Sequence, residues 1–124
     1  MPPSRHWAVW DKCNPNLSFA EGELAWIREG KNLRIYKYYS AQVEKGGKIH
    51  PTQKPVALYK WLLKNYAKPG DKILDTHVGS GSSLIACYDM GFDYIGFEID
   101  KEYYEAACKR IAEEQAQLRL NIAW

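Results

Sequence analysis

Asp75-Thr76-His77-Val78-Gly79-Ser80-Gly81-Ser82-Ser83 decides the fold of this 124-residue chain. The stretch follows the short apolar run Lys72-Ile73-Leu74 and leads into Leu84-Ile85-Ala86-Cys87-Tyr88. A strand, a glycine-rich turn and a helix start, in that order, turn backbone N–H groups toward a ligand. About seventeen residues beyond Gly81, after the strand-like run Tyr94-Ile95-Gly96-Phe97, stands Glu98. An acid at the end of a second strand is placed to accept from a pair of ribose hydroxyls. The expected ligand carries an adenosine.

Outward from that stretch, the pattern is helix, strand, helix, strand, helix from Pro55 onward, which implies parallel pairing in an α/β sheet. Pro55 suits the first turn of a helix, and Tyr59, Leu62, Leu63 and Tyr66 fall on one face of it. Pro69-Gly70 ends that helix, and Gly91 closes the one after the glycine turn. Asp100 is placed to cap a last helix in which Tyr104, Ala107, Cys108, Ile111, Gln115 and Leu118 share a face. Upstream, Trp7-Ala8-Val9-Trp10 reads as a short apolar strand, and Leu33 to Tyr39 alternates as a half-buried one. Ser18-Phe19-Ala20-Glu21 has capping-box spacing, which predicts a short helix there, weakened by Gly22. The polar segment from Ser40 to Ile49, with Gly46-Gly47, reads as turn-prone and mobile.

Length and composition fit one domain or part of one, with 46% hydrophobic and 26% charged residues. The sequence holds no long apolar span and no signal-peptide pattern, so a membrane partner is disfavoured. Cys13, Cys87 and Cys108 form no CxxC pair and read as small core residues of a reduced, cytoplasmic protein. The net charge of +2 hides an asymmetry: from Arg28 to Lys72 there are eleven Lys/Arg against three acids. Tyr36, Tyr38, Tyr39, Tyr59, Trp61 and Tyr66 interleave with these cations. Such a stretch suits a polyanion partner such as DNA, or else is a solvated helix face with flexible lysines.

His50-Pro51-Thr52-Gln53-Lys54-Pro55, Asp75 to Ser83, and Phe97-Glu98-Ile99-Asp100 stand in an order that resembles the N6-adenine/N4-cytosine DNA methyltransferases. The resemblance is to the permuted class, in which the catalytic motif precedes the cofactor half. It is close from about His50 to Ile111; Trp7–Lys12 and Ser18–Trp26 resemble the phage-type members more loosely. It implies a Rossmann-like α/β methyltransferase fold and S-adenosyl-L-methionine as cofactor. Residues 1–49 would be the end of the catalytic half, and residues 50–124 the cofactor-binding half, of a single partial domain.

The resemblance also assigns residues. Asp75 is expected to meet the cofactor's ammonium, and Glu98 its ribose, the latter with roughly 1.5–3 kcal/mol for a charge-assisted bond. Gly79 and Gly81 allow close backbone approach, with Thr76, His77, Ser80 and Ile99 beside them. His50, Thr52 and Lys54 are expected near the methionine end. Arg34, Lys37, Lys45 and Lys48 are the candidate contacts to double-stranded DNA. Thr76 and His77 depart from the family's usual Pro and Phe, so His77 either stacks as that ring would or fills space. His6, His50 and His77 match no metal-ligand spacing.

The family's catalytic signature, [D/N/S]-P-P-[Y/F/W], has no counterpart in these residues. Met1-Pro2-Pro3-Ser4 and Asn14-Pro15-Asn16-Leu17 both fail it. An incomplete fold lacking the catalytic strand is therefore expected, its gap closed by the two flanking strands coming together, by a homodimer or by a complementing chain. This makes two readings: a truncated methyltransferase inactive alone, or a non-catalytic cofactor- and DNA-binding remnant or subunit completed by a partner chain. A nicotinamide oxidoreductase is disfavoured because Leu84 replaces the third small residue of the dinucleotide fingerprint. A P-loop is excluded because no GK[ST] follows the glycines.

Overall fold

A computed structural model describes residues 6–13, 20–30, 32–39 and 53–122, with side chains to residue 117. His50, Thr52, Lys45, Lys48 and the Ser40–Ile49 segment lie outside these residues. The chain divides into two compact units, Met1–Gly46 and Gly47–Trp124.

In the first unit, β1 (Trp7–Asp11), β2 (Gly22–Trp26) and β3 (Arg34–Lys37) form a sheet ordered β2-β1-β3. β1 runs antiparallel to β2 and parallel to β3. Ala8 and Trp10 are its buried residues, and the Trp10 indole donates to the Tyr38 carbonyl at 3.0 Å. The sequence expectation of a short helix at Ser18 to Glu21 is corrected here. Ala20 and Glu21 are not helical, and a strand starts at Gly22. Gly22 stands opposite Asp11, and a Cβ on it would lie 2.7 Å from the Trp10 carbonyl oxygen. Close strand approach overrides the local capping pattern.

The second unit holds α1 (Val56–Tyr66), β4 (Lys72–Asp75), α2 (Ser82–Met90), β5 (Asp93–Gly96) and α3 (Lys101–Ile122). β4 and β5 pair in parallel, Leu74 opposite Ile95, as the alternation of helices and strands requires. Leu84 to Cys87 of α2 supply most of the core, with Leu58 from α1 and Ala107 from α3. Lys60 and Asp89 join α1 to α2 by an ion pair of 2.8 Å. Gly91 ends α2 at φ 78°, a conformation suited to glycine. The Asp100 carboxylate accepts from the Tyr103 amide at 3.0 Å and caps α3 as expected.

Two expectations about buried faces are corrected. Tyr104 is 53% exposed and Cys108 is exposed, so the inward face of α3 turns toward Ala107, Arg110 and Ile111. Of the cysteines only Cys87 is a core residue; Cys13 is half-buried, and all three are free thiols. No described helix is long and apolar enough to cross a membrane.

Candidate functional site

The glycine turn between β4 and α2 is stitched to the chain leaving β5. The Phe97 amide donates to the Asp75 carbonyl at 2.9 Å, and the Val78 amide to the Phe97 carbonyl at 3.0 Å. Gly79 and Gly81 both have positive φ, 60° and 89°, which side-chain-bearing residues rarely adopt. Gly81 is the residue before α2, and a Cβ on it would come within 3.3 Å of Ile111 and 3.4 Å of Ala107. Glycine therefore answers two demands there, a left-handed backbone and a helix close behind.

Carboxylates fix this turn from both strands. Glu98 accepts from the Gly79 amide at 2.8 Å with one oxygen, and from the Asp100 amide at 2.9 Å with the other. Asp75 accepts from the His77 amide at 2.9 Å and from the Ser83 hydroxyl. Each carboxylate oxygen keeps further acceptor capacity for a ligand.

A cavity of about 340 Å³ opens over the turn, within the range of small-molecule sites. His77, Val78, Gly79 and Ser80 line it along the turn, with Ser82 at the start of α2 and Glu98 beyond β5. Gln53, Lys54 and Tyr59 line it from the entrance and first turn of α1. The structure thus brings together His77, Gly79, Ser80, Glu98 and Lys54 of the residues singled out from sequence. Asp75, Thr76 and Gly81 shape the turn without lining the cavity, and Ile99 is fully exposed at 102%. Thr76 holds the His77 ring, its hydroxyl 2.8 Å from Nδ1.

Sequence reading misses Tyr59, Val78 and Ser82 as lining residues, and leaves Gln53 as a motif letter without a role. Tyr59 shares the apolar stripe of α1, and nothing in spacing separates a cavity wall from a core. Arg110 is missed as well. Its guanidinium reaches back from α3 to the Ser80 carbonyl at 3.2 Å and the Ser82 hydroxyl at 2.8 Å.

In the first unit, Arg34 and Lys37 are exposed on β3, the edge of the sheet among the described residues, and Tyr36 and Tyr38 stack 6.1 Å apart. Burial, then the neighbouring Tyr38, pushes the Tyr36 hydroxyl above its usual pKa.

A profile of a DNA methylase family, the N6/N4 methyltransferases, matches residues 4–109. The chain belongs to this DNA methylase family. It is 41% identical over 134 aligned positions to the type II methyltransferase M2.DpnII of Streptococcus pneumoniae, covering 86% of this chain and 50% of that protein. Over 70 positions it is 43% identical to the type II methyltransferase M.HpaI of Haemophilus parainfluenzae, covering 56% of this chain and 22% of that one. The chain thus spans half or less of the length of these relatives. Among solved structures, a complex of M1.HpyAVI with SAM matches at TM-score 0.66 and 28% identity, over 85% of this chain and 60% of that chain. A putative DNA modification methylase of Thermus thermophilus matches in fold at TM-score 0.56 and 23% identity, over 88% of this chain and 53% of that chain. The fold is the α/β one of S-adenosylmethionine-dependent DNA methyltransferases, here with partial sheets.

Proposed function

We propose that this chain is the cofactor-binding portion of an S-adenosyl-L-methionine-dependent DNA methyltransferase acting on adenine N6 or cytosine N4. The observation that carries the reading is the cavity in which Glu98, the Gly79 turn and Lys54 converge. Its lining fits that cofactor: a carboxylate to accept from ribose hydroxyls, a glycine turn whose backbone a ligand can approach closely, and Lys54 on the opposite stretch of chain. Family membership and the likeness to a protein solved with SAM support it. When bound, the cofactor supplies an electrophilic methyl group on its sulfonium.

This chain's residues would bind and orient. Glu98 would accept from the ribose while holding the Gly79 amide, and Asp75, which does not line the cavity, would keep the turn in shape and meet the ammonium through water. Lys54 would stand toward the methionine end, the role also proposed for His50 and Thr52. His77, steadied by Thr76, covers the cavity wall. Arg34, Lys37, Lys45 and Lys48 would meet phosphates of double-stranded DNA in a cytoplasmic setting. For any that do, each contact removed should lower the slope of log affinity against log salt by about 0.9.

The methyl-accepting step needs more. An exocyclic amine has its lone pair delocalised into the base, so acceptors must take its hydrogens and an aromatic must stack on the extruded base. We assign those groups to polypeptide beyond these 124 residues, which would make the chain inactive by itself. Exposed apolar residues at the β4–β5 sheet favour that assignment: among the described residues, Leu74, Ile95 and, just past β5, Phe97 are 63%, 61% and 59% exposed, whereas parallel sheets are ordinarily covered on both faces. A second copy or a complementing chain would cover it.

Calorimetric titration with S-adenosylhomocysteine and with NAD tests the cofactor. Binding of the first alone is expected, and no binding of the first by folded protein overturns the reading. Labelled S-adenosylmethionine with duplex DNA tests the rest: no incorporation is expected from this chain alone, and incorporation would refute its dependence on further polypeptide.

A further inference from the structure

Behind the turn, α3 presents Ala107, Arg110 and Ile111 as a plate at spacings of three and four residues. Ala107 and Ile111 close on Gly81 by shape. Arg110 acts by hydrogen bonding: one guanidinium nitrogen lies 3.2 Å from the Ser80 carbonyl oxygen, 3.3 Å from the Ser80 hydroxyl and 2.8 Å from the Ser82 hydroxyl. The two serine hydroxyls are themselves 3.2 Å apart. Both serines line the cavity, and they are only 4% and 2% exposed; Arg110 does not line it.

The placement is costly for a merely space-filling residue. A guanidinium beside the first turn of α2 faces the positive end of a helix dipole. Burial lowers its pKa from the ordinary value, with Glu114 opposing. A leucine or methionine would fill the space without either cost, so the hydrogen bonds are what the position requires. Those bonds tie a loop carbonyl to the first helical hydroxyl across the left-handed Gly81.

We propose that Arg110 is a positioning residue for the cofactor: from the far side of the turn it fixes Ser80 and Ser82, and so holds the Gly79–Gly81 backbone in its ligand-receiving form. The proposal rests on the cavity being the S-adenosylmethionine site. Arg110→Met keeps the apolar stem and removes the donors; Arg110→Lys returns a donor of different reach. Calorimetry with S-adenosylhomocysteine, amide hydrogen exchange across residues 78–83, and the thermal midpoint are read on each variant.

In Arg110→Met, affinity should fall about tenfold or more, as expected for a charged hydrogen-bond donor lost from buried acceptors. Exchange across the turn should quicken in the ligand-free protein, and Arg110→Lys should recover part of both. Wild-type affinity in Arg110→Met overturns the proposal. Weakened binding with unchanged exchange overturns it as well, since Arg110 would then act on the ligand and not through the turn. If Arg110→Met does not fold, Arg110→Lys decides: intermediate affinity with faster exchange supports positioning, and wild-type values of both refute it. If the wild-type protein binds no S-adenosylhomocysteine, the cofactor reading fails and turn exchange alone decides the role of Arg110.

Discussion

At Glu98, each carboxylate oxygen accepts a backbone amide, one from the glycine turn and one from the segment that caps α3. Replacement by glutamine leaves one of those amides facing an NH2 group. Glu98→Gln should therefore cost about 0.5–1.5 kcal/mol of stability in urea denaturation, the net worth of a hydrogen bond that is only partly buried. It should also weaken S-adenosylhomocysteine binding beyond what the lost stability explains. Distance from the glycines finds this acid in the sequence but gives it only a ligand to hold; that it also braces the turn depends on Gly79 and Asp100 coming to it in space. Cys87 carries a different prediction. Burial first, and the Asp75 charge second, raise its thiol pKa above the ordinary value of 9.0. A thiol raised in the fold favours the folded state only while both states keep the proton. As pH rises past 9.0 the unfolded chain ionises first, so stability should fall in that window. Cys87→Ala should flatten the slope above pH 9.0, measured as the thermal midpoint against pH, although Tyr36 and Tyr104, also raised, leave some slope behind.

Among the elements, the strand–turn–helix unit of β4 and α2 is legible because its signals are local: an apolar run, two glycines, a helix start. The segment before β2 misleads for the same reason, since capping-box spacing is local while the contact of Gly22 with the Trp10 carbonyl joins two strands. The face of α3 is misjudged because Tyr104 and Cys108 fit its apolar stripe by spacing, whereas the half-buried Arg110 interrupts any stripe drawn from hydrophobicity. Gly96 reads in the sequence as one letter of a strand, yet a Cβ there would overlap the Val78 side chain and approach Leu84 to 2.8 Å. Gly96→Ala should push β5 away from the turn. A loss of about 1–3 kcal/mol is expected, the usual cost of overpacking, read as a lower urea midpoint. Because Val78 lines the cavity, cofactor affinity should fall with it. An unchanged midpoint would mean that Val78 and Leu84 can rotate aside.

For the whole molecule, the exposed apolar surface of note is on the sheet of the second unit. Among the described residues it has two strands, and a two-stranded sheet is marginal unless its faces are covered. One face has α2 against it; the other presents Leu74, Ile95 and Phe97, with Leu74 and Ile95 directly opposed in register. Which face stays exposed depends on where α2 packs, and no periodicity in a four-residue strand can give that. If further polypeptide or a second copy covers the face, making it polar should abolish association while sparing the fold. Leu74→Thr with Ile95→Thr places β-branched residues in both strands, and exposed substitutions usually change stability by about 0.5 kcal/mol or less. Sedimentation velocity should show the wild-type chain associating with rising concentration and the double variant remaining monomeric at a similar thermal midpoint. If both sediment alike and the variant still joins a complementing catalytic fragment, the covering partner uses another surface. A large fall in the midpoint would instead place these two residues in the core of the isolated chain, contrary to their exposure.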